Sequence, residues 1–179
     1  MTAGVVRPIG VPAPILTPGD IPGDHVEDDG TIAAWIAAAQ SLVDGPRATL
    51  CAGHAFGVQT LEWNAERFEL GDEVPFPPLL DIVSVSVLPE GRKLVRFKAG
   101  YDGKEIAEGG TGPVPEAVRV AVKLLVKDLM MSAEIGLSSV RSETVDGVGQ
   151  TSYVDPERVS LATRRAAKAL LLGFRIPRP

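Results

Sequence analysis

The hydrophobic period of this chain changes twice, and the two changes constrain its fold more than any other feature. DDGTIAAWIAAAQSLVDG places apolar Ile32, Trp35, Ile36, Ala39, Leu42 and Val43 at 3/4 spacing, which predicts a helix over 28–44. Asp28 and Asp29 sit at its electropositive start, and Gly45 with Pro46 ends it. From residue 58 the period falls to two. VQTLEW, IVSVSVL and KLVRFKA alternate, with ERFEL as an extension of the first, and predict an antiparallel β module over 58–100. VPFPP and the tight turn PEGR connect its strands. The helical period returns in VPEAVRVAVKLLVKDLMMSAEIG, opened by Pro115 and stopped at Gly136, which predicts a helix over 114–135.

This second helix is polar only along a stripe of Glu116, Arg119, Lys123 and Lys127. A surface helix shows a wider polar face, so its own fold or a neighbouring subunit must cover most of its girth. Val118, Val122, Leu125 and Leu129 are the candidate subunit-interface residues.

Flanking segments are less regular. Residues 1–27 hold Pro8, Pro12, Pro14, Pro18 and Pro22, and predict an extended arm with one short turn at most. Residues 102–112 read as a mobile loop and 136–154 as a loop or ribbon, both ordering only on assembly. Asp155 and Pro156 then open a C-terminal helix, with an apolar line through Val159, Ala162, Ala166, Ala169 and Leu170. FRIPRP ends the chain as a non-helical tail. The expected organisation is an arm (1–27), a body (28–155) and a basic helix with its tail (156–179), in a mainly α fold with an inserted antiparallel β module.

Charge divides the chain at the same place. Residues 157–179 carry six bases against one acid, while the remaining 156 residues carry a net charge of −10. Such a tail suits nucleic acid or an acidic protein surface. Aromatics for base stacking are lacking apart from Phe174, so docking is favoured over DNA binding. Leu170, Leu171, Leu172, Phe174 and Ile176 are the candidate anchors, with Arg175 and Arg178 as ion-pair partners.

Catalytic chemistry has little foothold. Cys51 and His54 in LCAGHAFG have the residue types of a nucleophile and its base, but no group that would orient the base and no oxyanion hole is recognisable. Cys51 reads instead as a small packing residue. Glu27, Asp28 and Asp29 do not match a calcium-loop spacing, and phosphate-loop, dinucleotide and serine-hydrolase motifs are lacking. One Cys and two His are too few for a structural zinc site. The expectation is a non-enzyme without cofactor or metal. No apolar run is long enough to span a bilayer and no signal-peptide pattern opens the chain, so a protein made and assembled in the cytoplasm is expected.

The order of these elements, together with PPLLDIVSVSV, the AGY at 99–101 and the P-E-A-V-R opening of the second long helix, resembles the head-tail connector (adaptor) proteins of long-tailed phages and phage-like gene transfer agents. The resemblance covers roughly residues 15–135. The Pro-rich arm and the very short connection between PEG and RKLVRF depart from the family pattern. The resemblance implies a small helical bundle with a β insertion that forms a homo-oligomeric ring, usually a dodecamer, in the neck of the virion. Its implied partners are the portal protein above and a stopper or tail completion protein below, with DNA passing through the channel without sequence-specific binding. A stopper or tail completion protein is itself the nearest alternative, and a DNA-binding module or a small Cys-dependent enzyme are the remoter ones.

Overall fold

A computed structural model describes residues 4–23, 27–137, 142–145, 149–152 and 156–174. It is a mixed α+β fold of three helices and a four-stranded antiparallel sheet. Helix α1 (Asp29–Ser41) starts at Asp28, whose carboxylate accepts from Thr31 N at 2.9 Å and from the Thr31 hydroxyl at 3.1 Å. It stops three residues before the expected end. Thr49 N and Leu50 N both donate to Leu42 O, and Gly45 takes a positive φ of 77°, so the chain folds back on the helix end.

The sheet comprises β1 (Val6–Ile9), β2 (Gln59–Ala65), β3 (Leu79–Val87) and β4 (Lys93–Ala99), in the order β1-β2-β4-β3. Three of these strands were expected. The fourth comes from the arm, which is therefore more than an extended segment with one turn. β1 pairs with β2 in the register Val6↔Trp63 to Ile9↔Thr60, and the arm also lends Ile15, Leu16 and Ile21 to the core. Asn64 N donates to Val5 O at 3.2 Å. By the alternation of an antiparallel ladder, Val5, Arg7 and Ile9 turn their backbones toward β2, and Val6 and Pro8 turn theirs outward. Pro8 thus occupies a position where no ladder donor is required.

ERFEL does not extend β2. The strand ends at Ala65, Phe68 folds in as a buried plug, and Glu69–Asp72 close a turn through Glu69 N to Asp72 Oδ2 at 2.8 Å. The loop at 102–112, expected to be mobile, is cross-tied. Asp102 N donates to the Thr111 hydroxyl, Thr111 N donates back to Asp102 Oδ1, both at 3.0 Å, and the hydroxyl donates to Gly100 O at 2.8 Å.

Helix α2 (Glu116–Leu137) runs close to its expected span. Within 136–154, β5 (Ser142–Val145) and β6 (Gly149–Ser152) pair as an antiparallel ribbon, the second of the two expected forms. Helix α3 (Pro156–Leu170) packs on α2, but not by the expected line. Of that line only Val159 is half-buried and Ala162, Ala166, Ala169 and Leu170 are exposed, whereas Ala167 and Leu171 are buried and Ser160 and Thr163 are half-buried. The inward face follows 160, 163, 167 and 171 because Asp128 of α2 fixes it. This nearly buried carboxylate accepts from Ser160 Oγ at 3.0 Å and lies 3.5 Å from Arg164 Nε.

Two apolar clusters result. One joins the arm, α1, α2 and α3 around Ile36, Val43, Phe56, Val118, Val122 and Leu125. The other lies on one face of the sheet around Leu61, Phe68, Val95 and Phe97.

Candidate functional site

The segment LCAGHAFG is the joint between the two clusters. Cys51 is fully buried and its Sγ lies 3.9 Å from Leu171 O. His54 Nδ1 donates to Pro77 O at 3.1 Å, and Pro77 O also accepts from Ala55 N. Burial pulls the His54 pKa below the usual imidazole value, against the opposing effect of the Pro77 hydrogen bond. The ring serves a packing role. It stacks on Phe56 with centroids 5.5 Å apart, and Phe56 stacks on Tyr101 at 6.3 Å.

AGY meets this joint from the other side. Tyr101 N donates to Phe56 O, and Gly100 has φ of 126°. A Cβ on Gly100 would lie 2.5 Å from Gly57 O and 2.7 Å from Val58 Cα, so only glycine lets β4 cross the 57–58 backbone there.

Below the joint lies a polar centre that sequence reasoning missed. The Asp44 carboxylate accepts four hydrogen bonds: Oδ1 from Phe56 N and Gln59 Nε2, both at 2.8 Å, and Oδ2 from Gln40 Nε2 at 2.8 Å and Gly57 N at 2.9 Å. Gln40 Oε1 in turn accepts from Ile15 N at 3.1 Å, and Gln40 Nε2 also reaches Ala13 O at 2.9 Å. Arm, helix, joint and sheet thus converge on one buried acid. Burial pushes its pKa up, outweighing the donors that pull it down. The available signal was Gln40 and Asp44 four residues apart, a polar pair directed at the apolar side of a helix.

The expected interface and docking residues separate. Val118, Val122 and Leu125 are buried and Leu129 packs against them, all within the chain's own helical core. They are covered by α1 and α3, so any subunit contact on α2 uses other residues. Among the tail anchors, Leu171 is fully buried and Phe174 is edge-on to Phe56 at 5.7 Å and to His54 at 6.1 Å. Both belong to the core, because the chain turns inward after α3 through Leu172–Phe174. Leu170 and Leu172 point outward, 37% and 58% exposed, beside exposed Arg164, Arg165 and Lys168. Arg175, Ile176 and Arg178 lie outside the described residues.

Glu27 and Asp29 line a shallow hollow of about 400 Å³ with Pro18, Ile21 and Ile32. Among the described residues no group of three or more His, Cys, Asp or Glu is placed to hold a metal, and no helix is long and apolar enough to cross a membrane. No family model, curated protein or solved structure matches this chain.

Proposed function

We propose that this protein is a head-tail adaptor of a tailed phage or phage-like particle, forming a ring under the portal that extends the DNA channel and docks the next neck protein. The observation that carries this reading is where the three resembling motifs fall. PPLLDIVSVSV leads into and forms β3, AGY makes the glycine crossing of β4 over Gly57, and P-E-A-V-R opens α2. AGY, P-E-A-V-R and the two prolines that open PPLLDIVSVSV lie at the junctions of the α1–sheet–α2 body, where Pro77 O accepts from Ala55 N and Pro78 O from Gly100 N, and a shared architecture would restrict sequence most there. Charge supports it as well. An acidic body would repel phosphates and let DNA slide, whereas a basic lumen would hold it.

In this reading the portal contact uses Leu170 and Leu172 with the cations beside them, continued by Arg175, Ile176 and Arg178. Leu171 and Phe174 hold the end of α3 in place instead of reaching outward. The test mixes the full chain with the portal protein encoded in the same genome, followed by sedimentation and electron microscopy of the pelleted particles. A ring capping the portal is expected. It should be lost when Leu172→Glu is combined with removal of residues 175–179, while the unfolding midpoint of the variant stays close to the parent's. Absence of any portal association by the full chain would sink the adaptor reading.

A further inference from the structure

The four-stranded sheet has two margins of opposite character. At β1 the outward backbone includes Pro8, which has no N–H to offer. At β3 the protecting features, the charge of Asp81 and two register irregularities, are confined to its first half. Leu88 N donates to Arg92 O at 2.8 Å, so alternation turns Leu88, Ser86 and Ser84 toward β4 and leaves the N–H and C=O groups of Val85 and Val87 pointing outward. No strand lies on that side among the described residues. Residues 82–88 carry no charge and no proline, the devices that usually protect an edge. Val83, Val85 and Val87 are 46%, 40% and 71% exposed. The irregularities of β3 lie between Leu79 and Asp81 and between Ile82 and Ser84, so the regular part of the margin begins at Ser84.

Residues 83–87 read V-S-V-S-V, the same in both directions. Two such strands laid antiparallel about Val85 set valine against valine and serine against serine, with no mismatch on either face. Val85 faces Val95 across the β3–β4 ladder, on the sheet face that holds Phe97 and Phe68. Val85 also lines a hollow of about 380 Å³ with Phe68, Leu70 and Lys93. Pairing would continue that apolar face from one copy into the next.

We infer that β3 is a self-recognition edge: two copies of this chain pair antiparallel about a twofold axis at Val85, with Ser84 of each opposite Ser86 of the other, joining their sheets into one of eight strands. Val85 exchanges both its backbone hydrogen bonds with its own equivalent in the second copy. The contact is isologous and closed, unlike the head-to-tail contacts of a ring, so it describes the free protein and does not depend on the adaptor reading.

The self-opposed position supplies the test. Cys51, the chain's single cysteine, is buried, so introduced thiols report cleanly. In a hydrogen-bonded antiparallel pair the facing Cα atoms are about 5.5 Å apart, within disulfide reach, whereas residues offset by two positions are beyond about 7 Å. Val85→Cys should therefore form a covalent dimer on mild oxidation severalfold faster than Ser86→Cys. The unmodified chain should sediment at twice its 18.9 kDa mass, and Val85→Pro, which removes an outward donor only, should sediment as a monomer with its unfolding transition retained. A parent chain that stays monomeric on concentration overturns the inference, as does equal cross-linking of the two cysteine variants.

Discussion

Phe174 stands edge-on to Phe56, with ring centroids 5.7 Å apart and planes at 83°. The end of the C-terminal helix is thereby fastened to the loop that follows the first helix, more than a hundred residues earlier, and Leu171 beside it is fully buried. Phe174→Ala should cost about 2 kcal/mol, below the about 3–5 kcal/mol typical of buried aromatic truncation because the ring is only half-buried. Urea denaturation should register this as a lower midpoint with an unchanged slope. Leu172→Ala, on the exposed side of the same turn, should leave the midpoint within experimental scatter.

Two acids should respond to pH with opposite sign. Burial raises the Asp44 pKa in the folded state, so folding binds its proton more tightly and the associated stability is present at low pH and lost as pH rises through the raised value. The stability deficit of Asp44→Asn should therefore be largest in acid and shrink toward neutrality. At Asp102 the hydrogen bond from Thr111 N holds the carboxyl below its ordinary value. Its contribution is present above the unfolded pKa and lost as pH falls through the depressed one, so Asp102→Asn should show its deficit at neutral pH and lose it in acid. Chemical denaturation from about pH 3 to pH 7, the range in which carboxyls titrate, separates the two slopes.

Two glycines that share a positive φ should differ in their tolerance of a methyl group. Gly100→Ala combines a positive φ with a Cβ driven into the Gly57 carbonyl, and should cost about 3 kcal/mol or prevent folding. Gly91→Ala has a φ of 77° but open space around it, and should cost about 1 kcal/mol from backbone strain alone. Thermal unfolding of the two variants side by side checks the difference.

Elements held by their own periodicity were legible from sequence, namely α1, α2 and the alternation of β2, β3 and β4. What escaped depends on partners remote in the chain. β1 is four residues long with a proline inside it, and only the β2 edge makes it a strand. The inward face of α3 is chosen by Asp128, so Ser160 faces inward while Ala162 and Ala166 face solvent, against their hydrophobicity. Val118, Val122 and Leu125 looked surplus to a small fold because the depth of the α1–α2–α3 core could not be counted from one helix. The Asp44 centre was hidden for the same reason. Its donors are drawn from the far end of α1, the joint and β2, and no local pattern announces their convergence.

Pro8 has a consequence beyond the strand it occupies. Runaway fibril growth requires a sheet that is adhesive on both sides, so that each added molecule offers a fresh template. With one margin closed by an imino acid, an encounter through the other ends growth at the first addition. On these terms a chain can keep an unguarded β edge, because the worst product of sticking is a pair.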